Sequence, residues 1–328
     1  MKLLALLLAA MPLPVAAQYA LYACGSNSRD YVVGATLPPS GIFVRAADGQ
    51  WRHAGFNHPD ITAFDYDPRD PSVVYAAAGN GLLRVAKNGE GWKILTGSDV
   101  TELLDVAVDY NWPGTIYFAH TAGIQVSHDS GATWHDASAG LRRKYTAALR
   151  VDMLHAGVLL AGTEQGIFRS EDGGKSWKLA GAAGIQVLHI AQSPHDACFW
   201  LASTEGGGLF ASHDCGVTFE SNGSLGVGRN LYDVAFDGAA NRIAVAGWGV
   251  GVAVSADAGK TWQARNYGLP STSVWSVAFD PALPGRLLAG VHEGGVYLSD
   301  DDGATWRWVG LAGSSIFRMK FVPEARGK

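Results

Sequence analysis

The stretch Ser127-His128-Asp129-Ser130-Gly131-Ala132-Thr133-Trp134 decides the fold, because it does not occur once. Its serine, aspartate, glycine, hydroxyl and aromatic positions return at Ser170 to Trp177, Ser212 to Phe219, Ser255 to Trp262 and Ser299 to Trp306. From serine to serine the steps are 43, 42, 43 and 44 residues. A period in the forties with a glycine and an aromatic per unit is the signature of a propeller or a solenoid. Two weaker copies come earlier, at Asn88 to Trp92 and at Asp48 to Trp51. The aromatic anchors then run Trp51, Trp92, Trp134, Trp177, Phe219, Trp262 and Trp306, which makes seven units.

Each unit also reads internally as strands. Leu103 to Asp109, Leu231 to Asp237 and Val274 to Asp280 alternate apolar and polar residues and end on turn formers, the pattern of a half-buried strand. A second strand follows, then a glycine turn, a third strand, the box and a fourth strand. The ends are complementary. The N-terminal unit lacks a first strand, and Ser315 to Pro323 is a first strand with no unit after it. The reading is an all-β, single seven-bladed propeller of four-stranded blades, with the C-terminal strand completing the N-terminal blade.

Met1 and Lys2 precede an apolar run from Leu3 to Ala10, with small residues at Val15-Ala16-Ala17. This pattern predicts a signal peptide over 1–17 and a propeller over 18–328, secreted or periplasmic. No second long apolar run follows, so no transmembrane segment is expected. The net charge of −5 and a lone basic cluster at Arg142-Arg143-Lys144 argue against nucleic acid as a partner. No metal-ligand spacing, phosphate loop or nucleophile elbow is present, so no metal or other cofactor is expected. A monomeric propeller is expected. Of three cysteines, Cys198 and Cys215 fall on turns of one face of one blade and are disulfide candidates in an oxidising compartment. Cys24 reads as a buried free thiol, although Leu21 to Cys24 has a loose likeness to a lipoprotein cleavage box.

The repeated Ser/Asp/Gly/Thr/Trp set resembles the Asp-box, or bacterial neuraminidase repeat. The resemblance implies a propeller with each box at the turn between strands three and four, on the face away from any active site. Asp129, Asp172, Asp214, Asp257 and Asp301 are then turn formers, whose carboxylates hold backbone N–H groups, rather than catalysts. Ala161 to Trp177 is similar to a phrase of xyloglucan-degrading enzymes, which pair two propellers around a cleft. The arginine motif that sialidases carry near the N-terminus does not appear. In size the chain is most similar to the non-enzymatic members, the photosystem II assembly-factor and sortilin-type propellers, which bind proteins or peptides.

Aligning the first strands places candidate site residues on the face opposite the boxes. The leading column is Asp60, Glu102, Tyr145, Gln186, Asn230, Ser273 and Ser315. Three residues on come Ala63, Asp105, Ala148, His189, Asp233, Ser276 and Arg318. Both columns are expected to ring the mouth of the central channel. The turns between strands two and three add Glu164, Gln165, Glu205, Trp248, His292 and Glu293. The long connection from Gly25 to Ser40 is a candidate lid. The expected function is a protein, peptide or glycan binding or assembly module. The alternative is a glycoside hydrolase using Asp105 and Asp233, a carboxylate pair three blades apart.

Overall fold

The computed structural model describes residues 19–27, 29, 38–46, 48–86, 89, 91–141, 143–223, 225 and 228–324. The expected signal peptide and most of the Gly25 to Ser40 connection lie outside them. The described residues form seven four-stranded antiparallel sheets arranged as the blades of a propeller, with no helix among them. Six blades take their four strands in chain order. In the remaining one, blade 1, the strand Ser314–Pro323 pairs with Tyr19–Asn27 and supplies the innermost position. The ring is therefore closed by the two ends of the chain, with Tyr19 opposite Pro323 and Asn27 opposite Ser314.

The box turns explain their own recurrence. Asp129 Oδ1 accepts the Thr133 N–H at 2.8 Å and the Ser127 hydroxyl at 2.7 Å, while Oδ2 accepts the Thr133 hydroxyl at 2.7 Å. Ser127 Oγ accepts the Gly131 N–H at 2.8 Å. The same set recurs around Asp172, Asp214, Asp257 and Asp301. These bonds act on the ionised carboxylate, so it titrates low; Asp257 and Asp301 lie near 2, with the threonine hydroxyl as the first cause. Gly131 sits at φ 89°, and a Cβ there would stand 2.6 Å from Leu95 of the preceding blade. Only glycine supplies both the conformation and the clearance.

The box aromatics then join blade to blade. Trp177 is 5% exposed, and its Nε1–H donates to Ala137 O of the preceding blade at 2.7 Å. Trp134 reaches Leu95 O, Trp306 reaches Arg265 O, and Trp51 reaches Val309 O across the closure. Trp262 differs, donating to Gly259 O of its own box. Cys198 and Cys215 are joined in a disulfide that ties the first-to-second turn of blade 5 to its box. Cys24 is a buried free thiol, and burial first of all pushes it up to about 12.

Two outcomes test this account. Removing Ser314–Pro323 leaves the donors of Tyr19–Asn27 unpaired; the truncated chain should lose cooperative thermal unfolding and self-associate on size exclusion. An unchanged melt would refute closure by this strand. Trp177→Ala should destabilise the protein by about 3–5 kcal/mol in urea unfolding, as truncation of a buried aromatic does.

Candidate functional site

Each innermost strand has one ladder edge against its own blade and another facing the channel. N–H groups on that free edge are buried and require acceptors. The candidate column answers this need. Asp105 Oδ2 accepts the Leu149 N–H of the next blade at 2.9 Å, and Asp233 Oδ2 accepts that of Val277 at 3.1 Å. Asp65 does the same for Val108 at 2.9 Å. Ser276 Oγ donates to Ile316 O of blade 1 at 3.0 Å.

The expectation that Asp105, His189, Asp233 and Arg318 ring the mouth is corrected here. Asp105 is 1% exposed and Asp233 2%, and His189 is also buried. They form a layer inside the channel. Arg150 pairs with Asp105 at 2.6 Å and also meets His189 Nε2. His189 Nδ1 donates to Asp233 at 2.8 Å, and Arg318 pairs with the same carboxylate at 3.1 Å. Lys320 pairs with Asp65 at 2.7 Å. Burial raises the Asp105 and Asp233 carboxyls, but Arg150 beside the first and His189 and Arg318 beside the second outweigh it, so both end below the usual range. Both are covered and engaged by neighbouring side chains and by the backbone of the next blade.

The depth comes from a feature the alignment does not show. In blades 2 to 7 the register shifts by one residue just before the column, between Ile61 and Ala63, Leu103 and Asp105, Thr146 and Ala148, Val187 and His189, Leu231 and Asp233, and Val274 and Ser276. In blade 1 the pairing skips Phe317. Each skipped residue is half-buried and sits nearer the mouth than the column: Thr62, Leu104, Ala147, Leu188, Tyr232, Trp275 and Phe317. These residues line the opening on the face away from the boxes, and neither aligned column contains them. A bulge re-aims a side chain in this manner.

Three of the seven are aromatic and adjacent. Trp275 stacks on Phe317 (centroids 5.4 Å apart, planes at 22°) and on His292 (4.5 Å, 18°). Tyr232 meets the Trp275 edge at 5.9 Å, and Trp248 meets His292 at 5.6 Å. Glu293 N donates to Ser315 Oγ at 3.0 Å, so the Ser315 hydroxyl proton is free to donate to His292 Nδ1 at 2.8 Å. Trp248 is 48% exposed. The structure thus brings Trp248 and His292 together with Tyr232, Trp275 and Phe317. Asn230, beside Tyr232, joins the same arc. Asp60 and Glu102 lie across the opening in a separate groove with Thr62 and Thr121. Tyr145 sits between the two, half-buried, its phenol raised first by burial.

Comparison with known proteins bears on the fold. No family model and no curated protein sequence matches the chain. Among solved structures it is similar to the GH74 xyloglucanase from Xanthomonas campestris (TM-score 0.64, 22% identity, 79% of this chain and 46% of that one). It is also similar to YCF48 bound to a D1 peptide (0.58, 18%, 76% and 81%). A third is an extracellular domain of a one-component system from B. thetaiotaomicron (0.63, 13%, 87% and 39%). The chain spans less than half of the xyloglucanase. At these identities the likeness establishes the propeller and nothing finer.

The buried layer carries a pH prediction. Burial first, then Arg318, lowers the His189 pKa to about 4, against the opposing pull of Asp233. Below the ordinary imidazole value the unfolded chain therefore binds a proton that the folded protein refuses. Stability should be full above about pH 6.5 and fall as the pH drops toward 4, by roughly 3 kcal/mol in all. Urea midpoints measured across that window should slope downward toward acid, and His189→Gln should flatten the slope.

Proposed function

We propose that this protein is a secreted or periplasmic binding or assembly module that takes a peptide or glycan segment at the channel mouth opposite the boxes. The observation that carries the reading is the half-exposed arc of Trp248, His292, Trp275, Phe317 and Tyr232. Aromatic groups held by stacking supply large contact area at little entropic cost and dominate many binding hot spots. Rings presented side by side also suit the faces of sugars. Around them the rim carries both signs, Asp60, Glu102, Glu205 and Glu293 with Arg229 beside Gly249 and Arg143 paired to Glu164, which fits a peptide or glycan segment better than an anionic polymer. That YCF48 has been solved with a peptide supports a propeller of this size acting as a peptide binder.

The hydrolase reading rests on the likeness to the xyloglucanase. The two carboxylates it would use, Asp105 and Asp233, are engaged in the inter-blade layer described above.

The test is binding of peptide and glycan arrays to the whole chain, followed by titration of the best ligand. Trp248→Ala and Trp275→Ala should each weaken it about tenfold or more, as hot-spot truncations do, while Lys178→Gln on an outer strand should not. If binding survives both tryptophan changes, the face is wrong. Glycan cleavage abolished by Asp233→Asn in a folded variant would instead establish the hydrolase.

A further inference from the structure

The buried layer divides the channel, and its other side is a cavity that the proposed function does not use. This cavity has a volume of about 420 Å³ and is lined by the later residues of the innermost strands together with Met153, Pro194, Gly238 and Pro281 from the turns after them. Those turns share a face with the boxes, as the disulfide between Cys198 and Cys215 shows. The cavity therefore opens on the box face, at the opposite end of the channel from the aromatic arc. Its size lies in the range of small-molecule sites.

Its walls and floor differ in chemistry. Tyr66, Tyr110, Phe236 and Phe321 are among the wall aromatics. The floor is the charged layer, which presents its two signs unequally. The side chains of Lys320 and Arg150 are 32% and 21% exposed, whereas Asp65, Asp105 and Asp233 are 6%, 2% and 3%. The carboxylates are spent on backbone N–H groups of the next blade. Arg318 makes one ion pair, and its Nε–H has no acceptor among the described residues. Three acids balance three bases, so the layer has no net charge while His189 is neutral, yet the charge that a ligand meets is cationic.

We propose that the box-face end of the channel binds a small organic carboxylate, its anionic end against Lys320, Arg150 and Arg318 and its apolar body between the aromatic walls. A charge-assisted contact at the foot of a dry-walled cavity is stronger than the same contact on an open surface. A neutral molecule of the same shape gains the walls but not the floor.

Isothermal titration of the whole chain with 4-phenylbutanoate, indole-3-acetate and decanoate, each beside its own primary amide, tests this directly. At least one carboxylate should bind about tenfold or more tightly than its amide. The arms tell an aromatic from an alkyl body. Lys320→Gln should bring that carboxylate to the level of its amide, and Lys178→Gln, the same charge change on an outer strand, should leave the preference intact. The wild-type preference needs no variant, so misfolding of Lys320→Gln, checked by its thermal melt, does not rescue the proposal. Equal binding of carboxylates and amides, no binding of either, or a preference that persists in folded Lys320→Gln would overturn it.

Discussion

Everything in this ring depends on how the innermost strands treat their free edges. Closing a propeller does not pair those edges with one another, because neighbouring blades stand face to face and their ladders run outward. Each blade is left with N–H groups pointing into a narrow channel, where an unmet donor costs about 1–3 kcal/mol. Here carboxylates and hydroxyls of one blade reach the backbone of the next. Asp65, Asp105 and Asp233 each hold an amide one blade further on. Thr62 donates to Leu103 O, and Ser276 to Ile316 O. Such acceptors are strong because they are charged, and they are tolerated in the interior because Arg150, Arg318 and Lys320 sit beside them.

The layer also shows how seven strands share one small cross-section. Along each strand the column residue and the one two places on point to the same side. In two blades the first is small and the second large, Ala63 with Asp65 and Ala148 with Arg150, while in blade 7 both are small, Ser276 with Ala278. Where the first is large the second is small: Asp105 with Ala107, His189 with Ala191, Asp233 with Ala235. Blade 1 alone carries two long side chains, Arg318 and Lys320, which extend to Asp233 and Asp65. The same side chains that satisfy the edges therefore block the bore, and the two ends of the channel become chemically separate places.

The fold was legible because its information is redundant: five full boxes at a near-constant step state one architecture, and the unmatched strands at the two ends state how it closes. The polar column was legible too, but its depth was not. Depth depends on the one-residue bulge before each column position, and a bulge leaves no residue signature when its occupant varies from Thr62 to Trp275. Arg150, Asp65 and Lys320 were missed because they lie two residues beyond the second of the two aligned columns. The signal that could have found them is the alternation at two residues, since Ala63 and Ala148 each gave way to a charge two places later. The aromatic arc was hidden in the same manner: Tyr232, Trp275 and Phe317 fall in neighbouring blades at the position that reads as strand interior, and only the ring brings them side by side.

Joining the ring through strands from opposite ends of the chain has a consequence for time rather than for energy. The contact of Tyr19 with Pro323 spans nearly the whole sequence, whereas the pairings inside blades 2 to 7 are local. Contacts of such long range form slowly, because the loop they close must be ordered first. A chain emerging N-terminus first can shape its middle blades as they appear, but its earliest strand must wait for its last. Throughout that interval the strand Tyr19–Asn27 keeps an unpaired edge open to any passing strand. The passage from synthesis to closure is thus the period in which this protein most needs to be kept apart from its neighbours.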